Sequence, residues 1–213
     1  MKITKLGHCC LIVEIENLRI LTDPGNYSTG QDDAKNIDVI LITHEHADHL
    51  HLESLIRVLE NNPNANIITN QGVGVLLDEK KIRYQIVGHE QQIKFEDILI
   101  EGFGKEHAVI YPTWKTVENT GYFIANKLFY PGDAFYKPPK PVDILALPVA
   151  GPWVKISESI DYALSVKPRV SFPVHDGMLQ KDKLGGAHRV PEKILGDNNI
   201  DFVILKNGEM KEF

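Results

Sequence analysis

Val39-Ile40-Leu41-Ile42-Thr43-His44-Glu45-His46-Ala47-Asp48-His49 sets an unbroken apolar run directly before three histidines and an aspartate. The β-branched run reads as a buried strand, and the polar residues after it mark where the chain leaves its sheet. At extended spacing side chains alternate, so His44 and His46 project to the same side and can share one ion. From Asp48 to Leu59 the period changes: Leu52, Leu55, Ile56 and Leu59 share a helical face, which predicts a helix whose first turn contains Asp48 and His49. These two point elsewhere, and a second ion is expected. Imidazole and carboxylate without thiolate suit Zn, Fe or Mn at a catalytic position with sites open to water.

Thr43-His44-Glu45-His46-Ala47-Asp48-His49 resembles the HxHxDH motif of the metallo-β-lactamase superfamily. The resemblance implies an α/β fold, a four-layer αββα sandwich forming one domain over residues 1–213, with a one- or two-metal site between its halves. It also implies three further ligands: a histidine, an aspartate and a histidine, in that order. The chain offers His107 in Gly104-Lys105-Glu106-His107-Ala108, Asp133 in Tyr130-Pro131-Gly132-Asp133-Ala134 and His175 in Pro173-Val174-His175-Asp176-Gly177. Each follows a strand-like run, namely Ile98-Leu99-Ile100, Leu128-Phe129-Tyr130 and Val170-Ser171-Phe172. His89 competes with His107, but Val87-Gly88-His89-Glu90 reads as a turn between strands. On this basis His44, His46 and His107 hold one metal, Asp48, His49 and His175 the other, and Asp133 bridges. The expected cofactor is two divalent metal ions, zinc foremost, with Mn or Fe compatible with the same donors.

Ile3-Thr4-Lys5-Leu6-Gly7-His8-Cys9-Cys10-Leu11-Ile12-Val13-Glu14, followed by Ile20-Leu21-Thr22-Asp23-Pro24-Gly25, resembles the opening of a metal-dependent hydrolase branch that includes L-ascorbate-6-phosphate lactonase. That resemblance implies that His8 lies near the metal cleft and that Asp23 backs a ligating imidazole, whose tautomer such a hydrogen bond would fix. Val142 to Trp153 is similar to a further segment of this branch, and the likeness extends from residue 1 to about residue 178. The chain departs from it at Asp176-Gly177, where relatives often carry tyrosine, which puts a substrate contact there in doubt. It lacks the PGHT segment of glyoxalase-II-like members and the long insert of tRNA-processing members, so both activities are disfavoured. Beyond Leu179 only a closing strand pair around Asn207-Gly208 is expected, because Asn-Gly favours a tight hairpin turn.

With 213 residues, 43% of them hydrophobic, the chain can bury a sizeable core, and no linker divides it. Each half runs through several β-like segments and then a helical one, a weak internal symmetry without a sequence repeat. No signal-peptide core and no run of about 18 apolar residues is present, so a soluble cytoplasmic protein without membrane association is expected. Adjacent Cys9 and Cys10 make a mutual disulfide strained, and both read as small packed hydrophobes opening the strand Cys10 to Ile15. A formal charge of −6 argues mildly against nucleic acid as partner, leaving a small-molecule substrate; a homo-oligomer stays open.

The chemistry expected of two close cations is a shared water deprotonated near neutral pH, whose hydroxide attacks a carbonyl or phosphorus. Asp48 is placed to orient that nucleophile and accept its proton, which makes it the catalytic candidate. The expected function is hydrolysis of a small ester, lactone or phosphorylated metabolite. The alternatives are a phosphodiesterase or nuclease, which needs a basic track, and a non-hydrolytic di-iron redox or metal-sensing module, which the same donors would serve. Candidate substrate contacts are His8, Trp153, Tyr136, Lys137 and, in Lys183 to Arg189, His188 and Arg189; that last segment reads first as a helix start before Pro191. Trp114 beside Pro112 is read as structural.

Overall fold

The computed structural model describes residues 1–180 and 182–213. One mixed sheet contains β1 (Lys2–Gly7), β2 (Cys10–Ile15), β3 (Leu18–Thr22), β4 (Val39–Leu41), β5 (Asn66–Thr69), β6 (Gln85–Ile86) and β14 (Met210–Glu212), in the order β14-β1-β2-β3-β4-β5-β6. The other contains β7 (Gln92–Phe95), β8 (Ile98–Phe103), β9 (Gly121–Ile124), β10 (Leu128–Tyr130), β11 (Ile144–Pro148), β12 (Val170–Val174) and β13 (Asp201–Phe202), in the order β13-β12-β11-β10-β9-β8-β7. In the first sheet pairing is antiparallel from β14 to β3 and parallel from β3 to β6. The second repeats the scheme, antiparallel from β7 to β10 and parallel from β10 to β13. The weak symmetry of the chain is therefore a symmetry of strand pairing.

Alternation along each strand decides the layers. In β2, Leu11 and Val13 face the second sheet, joining Ile20, Leu41, Tyr122, Ile144 and Phe172 in the inter-sheet core. Cys10 and Ile12, on the opposite face, pack under Leu55 and Val58 of α1 (Leu52–Asn61) and Val73 and Leu77 of α2 (Gln71–Glu79). The second sheet does the same: Phe129, Leu145 and Leu147 turn outward to Ile160 and Ala163 of α3 (Ile156–Val166) and Ala187 and Leu195 of α4 (Gly185–Gly196). The result is an α-β-β-α layering in which period-two alternation feeds two distinct apolar faces. Fully burying a side chain such as Phe172 stabilises by about 1.5–3 kcal/mol.

Two expectations are corrected. Helix α1 starts at Leu52, not at Asp48, because the amides of His49 and Leu50 both donate to the His46 carbonyl, and His51 stays extended with its amide on Pro24. Asp48 and His49 thus lie in a tight turn. The segments flanking Asn207-Gly208 do not form a hairpin: β13 completes the second sheet while β14 pairs with β1 in the first. The Asn-Gly turn, with Gly208 at φ 81°, carries the chain from one sheet to the other. Among the described residues no helix is long and apolar enough to cross a membrane.

Candidate metal centre

The carboxyl-terminal ends of the central strands meet at one edge of the sandwich, where open α/β sheets generally build their sites. The segment after β4 brings His44, His46, Asp48 and His49 there. The segment after β8 brings His107, the one after β10 Asp133, and the one after β12 His175. Donor atoms of His44, His46 and His107 lie within 4.8 Å of one another, as do those of His44, His49 and Asp133. Asp133 Oδ1 is 3.0 Å from His49 Nε2, and its Oδ2 is 2.9 Å from His175 Nε2 and 3.3 Å from His107 Nε2. Asp48 Oδ2 lies 3.4 Å from His175 Nε2.

The hydrogen bonds behind these rings assign their protons. Asp23 Oδ2 is 2.7 Å from His49 Nδ1, so that nitrogen carries hydrogen and Nε2 turns a lone pair toward Asp133. The Thr43 hydroxyl gives its single proton to Asp23 (2.8 Å), leaving a lone pair to accept from His44 Nδ1 at 3.0 Å. His107 Nδ1 donates to the Ala108 carbonyl. His44, His49 and His107 therefore all present bare Nε2 atoms to the cluster. The buried Nε2 atoms of His49, His107 and His175 and Oδ1 of Asp133 make no hydrogen bond of good geometry, although His49 Nε2 lies 3.0 Å from that Oδ1 and the other two lie 3.3 and 2.9 Å from Oδ2. Lone pairs facing lone pairs repel unless a cation lies among them. The donor set fits a divalent metal centre.

The electrostatics agree. Burial alone would raise Asp133, but the imidazoles of His49, His175 and His107 closing on it hold its carboxyl well below the usual range. Burial pushes His44 well down, with His49 adding to the effect, and lowers His46, with His107 adding there, so both favour the neutral form that binds metal. For His49 and His175 burial is outweighed, chiefly by Asp133, and both are raised. The carboxylate that would hold a proton on those rings would equally hold a metal cation in its place.

Asp23 is fully buried and accepts from the Thr43 amide (2.8 Å), the Thr43 hydroxyl and the Tyr130 hydroxyl (2.6 Å), besides His49. His8 accepts the Gly177 amide on Nδ1 (3.1 Å), so its Nε2 carries hydrogen and donates to Asp48 Oδ2 at 3.2 Å. Trp153 Nε1 donates to Asp133 Oδ2 at 2.8 Å, and its ring lines the adjoining cavity. His8, Asp23 and His175 have left-handed φ values of 41°, 36° and 64°, a strain that tight packing has to sustain.

Other candidates lie elsewhere. His89 sits in the β6–β7 turn, where its Nδ1 accepts from Gly104. His188 lies within α4 and bonds Asp176 Oδ2 at 2.8 Å, while Lys5, fully buried, bonds Asp176 Oδ1 at 2.7 Å. Arg189 is exposed on α4, and Lys137 is exposed. Tyr136 stacks on Phe103 and borders a separate groove with His89. Trp114 is 67% exposed, which corrects its reading as a structural residue. The thiol of Cys9, read as packing alone, lies within 4.8 Å of donor atoms of His8, His49 and His175. Its spacing from the histidine motif gives no hint of this, because β1 and β2 must fold against β12 to create it.

Gly25 supports the ligand turn from below. A Cβ there would overlap the Asp48 carbonyl and crowd the His49 amide at 2.6 Å. Gly25→Ala is expected to lower stability by about 1–3 kcal/mol through overpacking, and to weaken metal binding because Asp48 and His49 must move. Urea denaturation and a metal titration of the variant check the two effects.

Residues 2–175 match the beta-lactamase superfamily domain. Protein Rv0786c of Mycobacterium tuberculosis is 35% identical over 190 residues, covering 87% of this chain and 88% of its own. A UPF0173 protein of Pyrococcus furiosus is 31% identical, with 83% and 84% covered, and a UPF0173 metal-dependent hydrolase of the same organism is 25% identical, with 100% and 99% covered. Among solved structures, Igni18, a metallo hydrolase of Ignicoccus hospitalis, superposes with a TM-score of 0.77 at 21% identity, covering 100% of this chain and 98% of its own. CmlA, a diiron beta-hydroxylase of Streptomyces venezuelae, superposes with a TM-score of 0.75 at 13% identity, covering 100% of this chain and 54% of its own. These last two likenesses concern the fold.

Proposed function

Because the chain belongs to the beta-lactamase superfamily, and within it to the UPF0173 metal-dependent hydrolases, we propose that it hydrolyses a small ester, lactone or phosphorylated metabolite at a centre of two divalent ions, zinc foremost. The observation that carries this is the convergence of bare Nε2 atoms on the two oxygens of Asp133. His44, His46 and His107 would hold one ion and Asp48, His49 and His175 the other, with Asp133 between them. When bound there, such a pair supplies a water acidified to near neutral pH and a Lewis acid for the oxygen that gains charge.

The chain's own residues do the rest. Asp23 holds the His49 ring in one tautomer, and Thr43 does the same for His44. His8 holds Asp48 by one oxygen, and the Asp48 side chain, 19% exposed at the cavity, keeps lone pairs free to take the proton of the attacking water. Trp153 fixes Asp133 through its indole N–H and walls the cavity with its ring.

The likeness of the opening segment to the L-ascorbate-6-phosphate lactonase branch puts lactones first among compounds to try. A nuclease reading is disfavoured: the groove beside the site sets Lys105 and Lys115 against Glu45, Glu106 and Glu118, which is no basic track. Turnover of a panel of lactones, esters and phosphodiesters is expected to vanish on chelation and to return with added divalent ion. Turnover that persists in the chelated, metal-free protein would overturn the proposal. Turnover of none of the panel by protein carrying iron would favour the redox alternative.

A further inference from the structure

We infer that the site takes an uncharged acyl substrate, an ester or lactone with a short apolar arm, in preference to a phosphorylated one. The inference rests on the hydrolase reading above and narrows it. The cavity over the metal cluster has a volume of about 210 Å³. That is below the usual range for drug-sized ligands, so the part of the substrate held inside it is small. Apart from the cluster, its wall is Tyr27, Ala47, Ile110, Pro152, Trp153 and Met178, with Asn26 and the Tyr27 phenol as its uncharged polar groups. Tyr27 is 48% exposed and Met178 42%, so apolar surface faces water at the mouth. The indole N–H of Trp153 is already engaged by Asp133, which leaves the wall only its ring.

Among the described residues no lysine or arginine lines this cavity. Protein sites for phosphate groups ordinarily supply such a cation, most often a bidentate arginine. Lys105 and Lys115 border a different groove in company with glutamates, and Lys155 pairs with Glu158. Three carboxylates, Asp23, Asp48 and Asp133, also surround the centre, so much of the positive charge of any cations bound there is already offset. A neutral carbonyl meets no penalty from them, whereas a phosphate dianion does. In the reaction inferred, the acyl C–O bond breaks and a C–O bond to the water oxygen forms. The products are a carboxylate, a proton and the released alcohol, or one hydroxy acid when the substrate is a lactone.

The test uses the metal-loaded full chain carrying Trp114→Phe, which leaves Trp153 as its single tryptophan. Two series are compared: para-nitrophenyl esters from acetate to hexanoate against para-nitrophenyl phosphate and its methyl to butyl diesters, and 2-alkanones from butanone to octanone as inert ligands read by Trp153 fluorescence. Ester kcat/KM and ketone affinity are each expected to rise about three- to fourfold per methylene until the cavity is full. Phosphate compounds are expected to fall at least tenfold below the best ester, and Met178→Lys to narrow that gap. Phosphate esters turned over as well as acyl esters, or no dependence on chain length in either series, would overturn the inference while leaving the hydrolase reading intact. Chain-length-dependent ketone binding with no turnover of any compound would support the apolar site and count against the hydrolase reading instead.

Discussion

Asp133→Asn is expected to reduce turnover by more than the roughly 10- to 100-fold that follows loss of a group that merely orients a ligand. The substitution conserves volume and keeps an oxygen for Trp153, so the wall of the cavity stands. It removes the negative charge on which His49, His107 and His175 converge at 3.0, 3.3 and 2.9 Å. Without that charge the rings lose the carboxylate that would join the two metal positions, and metal content should fall from two ions per chain to at most one. The fold should survive, since the asparagine is no longer a buried charge needing compensation. Elemental analysis and steady-state kinetics on the same preparation check both halves of this expectation. A variant that keeps two ions and its activity would remove Asp133 from the bridging role.

Asp23→Ala is expected to act on stability as well as on the metal. Four donors reach this fully buried carboxylate: the Thr43 amide and hydroxyl, Tyr130 and His49. Removing one member of such a buried set costs about 3–5 kcal/mol, because the remaining groups keep their desolvation cost and lose their partner. The loss should appear in urea denaturation of metal-free protein, where no cation contributes. Metal affinity should fall by about 10–100-fold in addition, since His49 is then free to turn or to change tautomer. Tyr130→Phe removes a single hydrogen bond to the same carboxylate and should cost only about 1.5–3 kcal/mol. Equal effects of the two variants would mean that Asp23 is not the hub of this network.

Much of this arrangement was legible in the sequence, for a physical reason. Strand alternation is local, so Val39 to Ile42 announced a buried strand, and Cys10 to Ile15 another, although which face of it met which layer came only with the structure. Asp133 and His175 were named through the family resemblance, and each stands just past an apolar strand, where a chain leaves a sheet. What stayed hidden depends on contacts between distant segments. The resemblance had placed His8 near the cleft, but its bond to Asp48 depends on Gly177, 169 residues away, and Lys5 meets Asp176 across 171 residues. Cys9 lies against the cluster for the same reason, and no spacing rule encodes it. The misplaced start of α1 has a different cause: the apolar period at Leu52, Leu55 and Leu59 is genuine, but bonds from His49, Leu50 and His51 hold the preceding turn out of the helix. Around Asn207-Gly208 the local preference for a turn was met, while strand pairing was decided by the two sheet edges left open at β1 and β12.

The central claim is that seven side chains from both halves of the chain hold two metal ions. Its most direct test is the metal-to-protein ratio of the full chain after reconstitution with zinc and exhaustive dialysis. The account predicts two ions per chain, dropping to one or none in Asp133→Asn; a ratio of zero in the unaltered protein, or of one that Asp133→Asn leaves unchanged, would contradict it.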